Sequence, residues 1–205
     1  MKRILFVFTV ILMISCTGKK IPEIGQYTID QFYKNVNIGF SAFSPDETKL
    51  LVSSNETGIY NVFEISLSDG SKKQVTNSTT ESFFAVDYVH GTNQILYSAD
   101  KGGNENSHIY LLNEDGTTVD LTPGDAVKAS FNGFSKDKKV MYFSSNKRDP
   151  QYFDLYKMNV GEWKEELIWE NREGLTFSGS TRDRNILALA KPITTSENTL
   201  FLYDR

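Results

Sequence analysis

Beyond residue 16, hydrophobic residues recur in short runs and do not follow one face of a helix. The runs are rich in Val, Ile, Phe and Tyr, and clusters of Gly, Asn, Asp and Ser separate them. Apolar runs divided by turn-forming residues are typical of short antiparallel strands. This part of the chain is therefore predicted to be all-β.

Four of these runs repeat at a nearly constant interval. If Leu51, Leu96, Tyr142 and Leu187 are taken as equivalent, the spacings are 45, 46 and 45 residues. Each run lies between a preceding and a following strand, and in the first three units a fourth strand comes after a tight turn that contains glycine. The repeated runs are Lys49–Ser54, Gln94–Ala99, Val140–Ser145 and Asn185–Ala190. Four antiparallel strands per unit at this period predict a β-propeller of four-stranded blades.

The repeat also sets the predicted domain limits. We expect a partial propeller over residues 27–205, with blades near 37–76, 81–122, 127–169 and 175–205. The fourth unit stops within or just after its third strand, so we expect an incomplete last blade with an exposed edge. A closed ring of four blades would require a segment such as Gln26–Ile29 to supply the absent strand. We favour the alternative that the sequence is the N-terminal part of a longer propeller.

The first residues have the pattern of an export signal. Lys2 and Arg3 precede an apolar run, Ile4–Ile14, which is too short to span a bilayer, and Cys16 follows before a polar stretch. We predict a lipoprotein signal peptide at residues 1–15, lipidation at Cys16, and a linker over 16–26. Met13 stands where leucine is usual, so a plain signal peptide or an uncleaved anchor is the alternative. The expected location is the cell envelope, lipid-anchored to a bacterial membrane and facing the periplasm or the exterior.

The remaining residues offer no catalytic pattern. With 26 acidic and 22 basic residues the net charge is −4, and no basic cluster indicates a nucleic-acid partner. Gly39–Phe43 lacks the second glycine of a nucleophile elbow. His90 and His108 have no partner at metal-ligand spacing, and Glu165 and Glu166 should point to opposite faces of a strand. We therefore predict no catalytic, cofactor-binding or metal-binding residue in this chain.

The loop Asp100–Asn106 contains several oxygen ligands around two glycines, as a calcium loop does. Its spacing does not fit an EF-hand. It lies between the predicted second and third strands of a blade, where Gly and Asn supply the positive φ angles of a hairpin. We therefore predict a turn.

Several segments are similar to those of a known family. Tyr27–Phe32, Phe43–Asp46, Asp100–Asn106 and Ser144–Asp149 resemble the propeller of prolyl oligopeptidase family serine peptidases, most closely the acylaminoacyl-peptidase and dipeptidyl-peptidase-like bacterial members. The Ser-Pro-Asp turn and the Ser-Asn-Lys-Arg-Asp strand end also resemble Tol-type periplasmic propellers.

This resemblance implies a function. In the peptidase family the propeller caps an α/β-hydrolase domain and filters substrates by size, and the Ser-Asp-His triad lies in that C-terminal domain. We expect none of that domain's catalytic residues within these 205 residues. We expect the substrate-gating part of an exported peptidase that acts on short peptides, with those peptides or the hydrolase domain as partners. The alternative is a non-enzymatic, Tol-like lipoprotein propeller that binds a protein or peptide.

Overall fold

The computed structural model describes residues 25–204. A short helix, α1 (Ile29–Tyr33), precedes the strands in the sequence. Thr28 caps it, because its hydroxyl accepts from the Gln31 N–H while the Gln31 side chain accepts from the Thr28 N–H. Gln26–Ile29 therefore does not supply the strand that the closed-ring alternative asked of it.

The sheets follow one another along the chain, and within each sheet the strands are adjacent in sequence order. Blade 1 contains β1 (Ile38–Phe43), β2 (Lys49–Ser54), β3 (Asn61–Ser66) and β4 (Lys72–Gln74). Blade 2 contains β5 (Phe83–Tyr88), β6 (Ile95–Ala99), β7 (His108–Leu112) and β8 (Thr118–Asp120). Blade 3 contains β9 (Ala129–Phe134), β10 (Val140–Asp149), β11 (Tyr152–Asn159) and β12 (Glu165–Trp169). Blade 4 contains β13 (Thr176–Ser180), β14 (Ile186–Pro192) and β15 (Asn198–Asp204). The predicted fold, an all-β partial propeller with an incomplete fourth blade, is confirmed.

Apolar residues on the second and third strands bury both faces of the blades. In blade 2, Ile95 and Tyr97 pack toward blade 1, whereas Leu96, Ile109 and Leu111 pack toward blade 3. This alternation follows from the period of two along a strand. A separate cluster joins blade 3 to blade 4. Successive blades are thus held together by three apolar clusters, and no blade buries its surface alone.

The fourth repeat is shifted by one residue from the predicted alignment. The backbone hydrogen bonds that close the first turn of each blade are Ser44 N to Lys49 O, Val89 N to Gln94 O, Ser135 N to Val140 O and Thr181 N to Ile186 O. Ala188, and not Leu187, is therefore equivalent to Leu51. A slip of one residue exchanges the two faces of a strand, so Leu187 and Leu189 point back toward blade 3.

The last blade has the exposed edge that the sequence predicts. In the part of the chain that the structure describes, β15 pairs only with β14. Leu200 and Leu202 lie opposite Ala190 and Ala188 and are 74% and 80% exposed. The fourth sheet therefore presents an apolar face to solvent.

Candidate functional site

The first turn of a blade, which joins its first and second strands, is a local hydrogen-bonded unit. In blade 1 the Ser44 hydroxyl donates to Asp46 Oδ1 at 2.6 Å and accepts from the Lys49 N–H at 2.9 Å. These bonds, with those from Thr48, lower the pKa of Asp46 to about 2. Asp137 and Asp183 make the same bonds in blades 3 and 4 and also have lowered pKa values. The Ser-Pro-Asp motif therefore shapes a hairpin, and its serine and aspartate side chains form hydrogen bonds within that turn.

Every first strand contains a β-bulge, a feature that the sequence analysis did not predict. The register shifts lie between Gly39 and Ser41 in β1, between Ala85 and Asp87 in β5, between Phe131 and Phe134 in β9, and between Phe177 and Gly179 in β13. A bulge redirects a side chain from the regular alternation, and bulges are frequent near functional sites. We call these four bulged strands the first-strand surface.

In blade 1 the bulge places Phe40 in a strained conformation. Its φ is +51°, which is rare for a bulky residue, and its side chain is exposed. The Phe40 ring meets Phe84 edge-on at 5.4 Å, and the Phe84 ring lies 5.1 Å from Tyr60. This part of the first-strand surface offers an aromatic contact for an apolar group.

In blade 2 the bulge is followed by Asp87, at a position where blades 1 and 4 have Ala42 and Gly179. Burial raises the pKa of Asp87, and this effect is opposed by the N–H of Tyr88, which donates to Asp87 Oδ1 at 2.8 Å. The first-strand surface thus includes a half-buried carboxyl group.

In blade 4, Arg184 connects the first-strand surface of two blades. Its Nη2 donates to the carbonyl oxygen of Asn132 in the β9 bulge at 3.0 Å, and its Nη1 donates to the Ser180 hydroxyl at 2.8 Å. The guanidinium carbon lies 4.4 Å from the centre of the Tyr142 ring, a cation–π contact. Burial lowers the pKa of Arg184. The side chain therefore fixes blade 4 against blade 3.

Near the start of the third strand, polar groups tie that strand to the connection that leads into the next blade. Asp154 is fully buried and accepts from Arg148 Nε at 2.6 Å and Nη2 at 2.9 Å. It also accepts from the Asn171 N–H at 2.8 Å. The hydrogen bond to Asp154 raises the pKa of Arg148. The arginine of the Ser-Asn-Lys-Arg-Asp motif therefore forms its ion pair within blade 3.

Blades 1 and 2 use threonine for the same purpose. The Thr76 hydroxyl accepts from the Val62 N–H at 2.8 Å, and the Thr122 hydroxyl accepts from the Ile109 N–H at 2.9 Å. In blade 1, the hydroxyl of Thr76 also donates to the buried side chain of Asn61. Local sequence gave no signal for these bonds, because the partners are 12 or more residues apart.

The structure places the two histidines in structural environments. His108 Nδ1 lies 2.7 Å from Asp120 Oδ2, its Nε2 lies 3.0 Å from the Gly124 carbonyl oxygen, and the His90 ring is edge-on to Phe134. Within residues 25–204 neither histidine is hydrogen-bonded to a serine, and no group of three His, Cys, Asp or Glu side chains could hold a metal ion.

The two adjacent glutamates have different partners. Glu165 pairs with Lys147, and Glu166 pairs with Lys157 at 3.1 Å. The two carboxylates therefore do not act together on one ligand.

The loop Asp100–Asn106 forms the predicted turn. Gly102 and Gly103 have positive φ as expected, but the third such residue is Glu105 and not an asparagine. The Glu105 N–H donates to Asp100 Oδ2 at 2.9 Å, which holds the loop closed on itself.

The predicted lipidation site, Cys16, lies outside the described residues. Among residues 25–204, no helix is long and apolar enough to cross a bilayer. The lipid anchor thus stays a prediction.

Antiparallel blades that stack face to face define a β-propeller, and this chain contains four consecutive blades of one. Residues 87–187, from β5 into β14, match the family model described as the dipeptidyl peptidase IV (DPP IV) N-terminal region. The chain is 27% identical over 145 residues to dipeptidyl aminopeptidase BIII of Pseudoxanthomonas mexicana, a match that covers 69% of this chain. It spans only 21% of that relative's length.

Solved structures show the same fold. A structure from a study of two prolyl endopeptidases matches 84% of this chain and 28% of its own, with a TM-score of 0.60 and 14% identity. TolB from Acinetobacter baumannii matches 82% of this chain and 41% of its own, with a TM-score of 0.58 and 19% identity. The predicted resemblance is confirmed: the blades form a propeller region similar to the N-terminal region of dipeptidyl and prolyl peptidases.

Proposed function

We propose that this propeller region gates the access of short peptides to the active site of an exported serine peptidase. The observation that carries the proposal is the match of residues 87–187 to the dipeptidyl peptidase IV N-terminal region. The identity to a dipeptidyl aminopeptidase over most of the chain supports it. The catalytic triad then belongs to an α/β-hydrolase domain that works together with these blades.

In this proposal the first-strand surface is the part that peptides meet. The exposed Phe40 ring offers an apolar contact, and Asp87 offers a carboxyl group. The contacts of Arg184 with blade 3 hold the first strands of blades 3 and 4 in place, so the surface that would select peptides by size is rigid there. Lipidation of Cys16 would hold the assembly at the cell envelope.

The test uses the native protein, captured from membranes with an antibody against the loop Asp100–Asn106. Peptides that share one scissile sequence and increase in length are compared by kcat/KM. We expect kcat/KM to fall steeply beyond a threshold length, because the propeller would exclude longer chains from the active site. A value of kcat/KM that does not change with length would contradict gating.

A Tol-like binding function has less support. The Ser44–Asp46 turn and Arg148, which belong to the motifs shared with Tol-type propellers, are occupied within their own blades. Similarity to TolB at 19% identity shows the fold alone.

A further inference from the structure

Blade 1 carries a buried glutamate at a position where blade 2 carries a core leucine. The N–H groups of Val62 and Ile109 donate to equivalent threonines, so the residues two positions later, Glu64 and Leu111, are also equivalent. Leu111 packs in the cluster between blades 2 and 3, and Glu64 is only 9% exposed. A buried charged group is unfavourable unless it is well paired, so its presence here needs an explanation.

The partners of Glu64 hold it loosely. The Tyr88 hydroxyl donates to Oε1 at 3.1 Å, and Lys49 Nζ lies 3.5 Å from Oε1 and 3.4 Å from Oε2. Charge-assisted hydrogen bonds between an ammonium and a carboxylate are normally about 2.7–2.9 Å long. The ammonium therefore lies nearly equidistant from both oxygens and binds neither closely.

The carboxylate opens into a cleft of about 770 Å³ between blades 1 and 2. Burial and the neighbouring carboxylate raise the pKa of Tyr88, so its hydroxyl remains a donor that orients Glu64. The Lys49 side chain is half exposed and can turn away into water. The other residues that line the cleft include the neutral Gln74, Asn93 and Asn113 and the charged Asp46, Lys73 and Glu114.

We propose that Glu64 anchors a binding site for a guanidinium group, and that the cleft accepts an arginine side chain of a peptide. A planar guanidinium can donate to both carboxylate oxygens at once, which the compact ammonium of Lys49 does not achieve. Binding would exchange the long Lys49 contact for two short ones. Tyr88 is the last residue of β5, so this site adjoins the first-strand surface, but the binding of a guanidinium does not depend on the gating function.

The test titrates the full chain with N-acetylarginine amide, whose blocked ends leave the guanidinium as its only charge. The matched ligand is N-acetylcitrulline amide, which has a similar shape and no charge. Isothermal titration calorimetry should show saturable binding of the arginine derivative and at least about tenfold weaker binding of citrulline, a difference of about 1.4 kcal/mol.

Variants connect the binding to Glu64. Glu64→Gln should weaken arginine binding at least about tenfold, and Glu64→Leu, which copies blade 2, should abolish it in a folded protein. Lys49→Met should increase the affinity, because it removes the competing ammonium. Glu166→Gln, which alters the comparable pair with Lys157 in blade 3, should leave the affinity unchanged.

Several results would overturn the proposal. They are equal binding of arginine and citrulline, unchanged binding by the Glu64→Gln variant, and weaker binding by the Lys49→Met variant. N-acetyllysine amide that binds as tightly as the arginine derivative would contradict the assignment to a guanidinium.

Discussion

The interfaces on the two sides of blade 2 are built from equivalent positions but differ in chemistry. Between blades 2 and 3, Leu96, Ile109 and Leu111 pack against Met141 and Phe143 in a continuous apolar cluster. Between blades 1 and 2, the apolar cluster is accompanied by the buried Glu64 and the hydroxyl of Tyr88.

The difference shows that stacking of blades needs less apolar surface than the fold provides. Between blades 2 and 3 the equivalent position is the apolar Leu111, whereas between blades 1 and 2 it is the carboxylate of Glu64 beside an open cleft. A repeat fold can therefore create a local site without changing its architecture, because the neighbouring cluster still holds the blades together.

The sharpest test of this comparison moves the charge to the apolar interface. Leu111→Glu should destabilise the protein by about 3–5 kcal/mol, because an unpaired charge is buried without a lysine or tyrosine partner. Urea unfolding followed by tryptophan fluorescence measures the effect. A loss below about 1 kcal/mol would mean that the two interfaces do not differ as described.

A second test removes a buried carboxylate that is structural and not part of a cleft. Asp154→Ala should cost about 2–4 kcal/mol, since the Asn171 N–H and Arg148 lose their acceptor. Thermal unfolding compares this variant with Glu166→Ala in the same blade, whose exposed ion pair should contribute less than about 1 kcal/mol. Equal losses in the two variants would show that burial of Asp154 is not decisive.

A third test uses pH at the first turn of blade 1, on the rim of the cleft. The folded-state pKa of Asp46 is lowered to about 2, so the turn is stabilised above the ordinary pKa of aspartate and loses that stabilisation as the pH falls toward 2. The difference in Tm between the wild type and Asp46→Asn should therefore shrink between about pH 4 and pH 2. A difference that stays constant over this range would refute the assignment.

The smallest expected effect comes from the reverse substitution, which places the leucine of blade 2 at the equivalent position of blade 1. Glu64→Leu should change the free energy of unfolding by no more than about 1 kcal/mol, because a buried ion pair replaced by an apolar residue is often neutral or stabilising. The same urea experiment as for Leu111→Glu measures it. A loss of several kcal/mol would mean that Glu64 is needed for folding.

The sequence predicted much of this architecture, because blade packing produces a regular pattern. The runs at Lys49–Ser54 and Val140–Ser145 lie within strands as expected, since each contains consecutive apolar residues that a second strand buries between two blades. Leu187 was misaligned because a one-residue slip keeps an apolar run apolar and alters only which face each residue occupies.

The features of the candidate sites were not predictable in the same way. The bulge at Phe40 is a backbone conformation that adjacent strands impose, and the conformational preference of phenylalanine does not predict it. From the sequence alone, Glu64 is expected to face solvent, because its burial depends on the packing of blade 2 and on the contact with Tyr88. Asp154 and Arg148 meet across a hairpin, so their pairing depends on the register of β10 and β11.

The most direct test of the central claim, that these blades gate a serine peptidase, is labelling with a fluorophosphonate probe. Native protein is captured from membranes through the Asp100–Asn106 loop, labelled, and separated by size. We predict a labelled polypeptide, or a labelled subunit that remains with the blades, whose labelling is blocked by short peptide substrates. Captured protein that carries the blades but no labelled serine would contradict the peptidase function and favour a binding propeller.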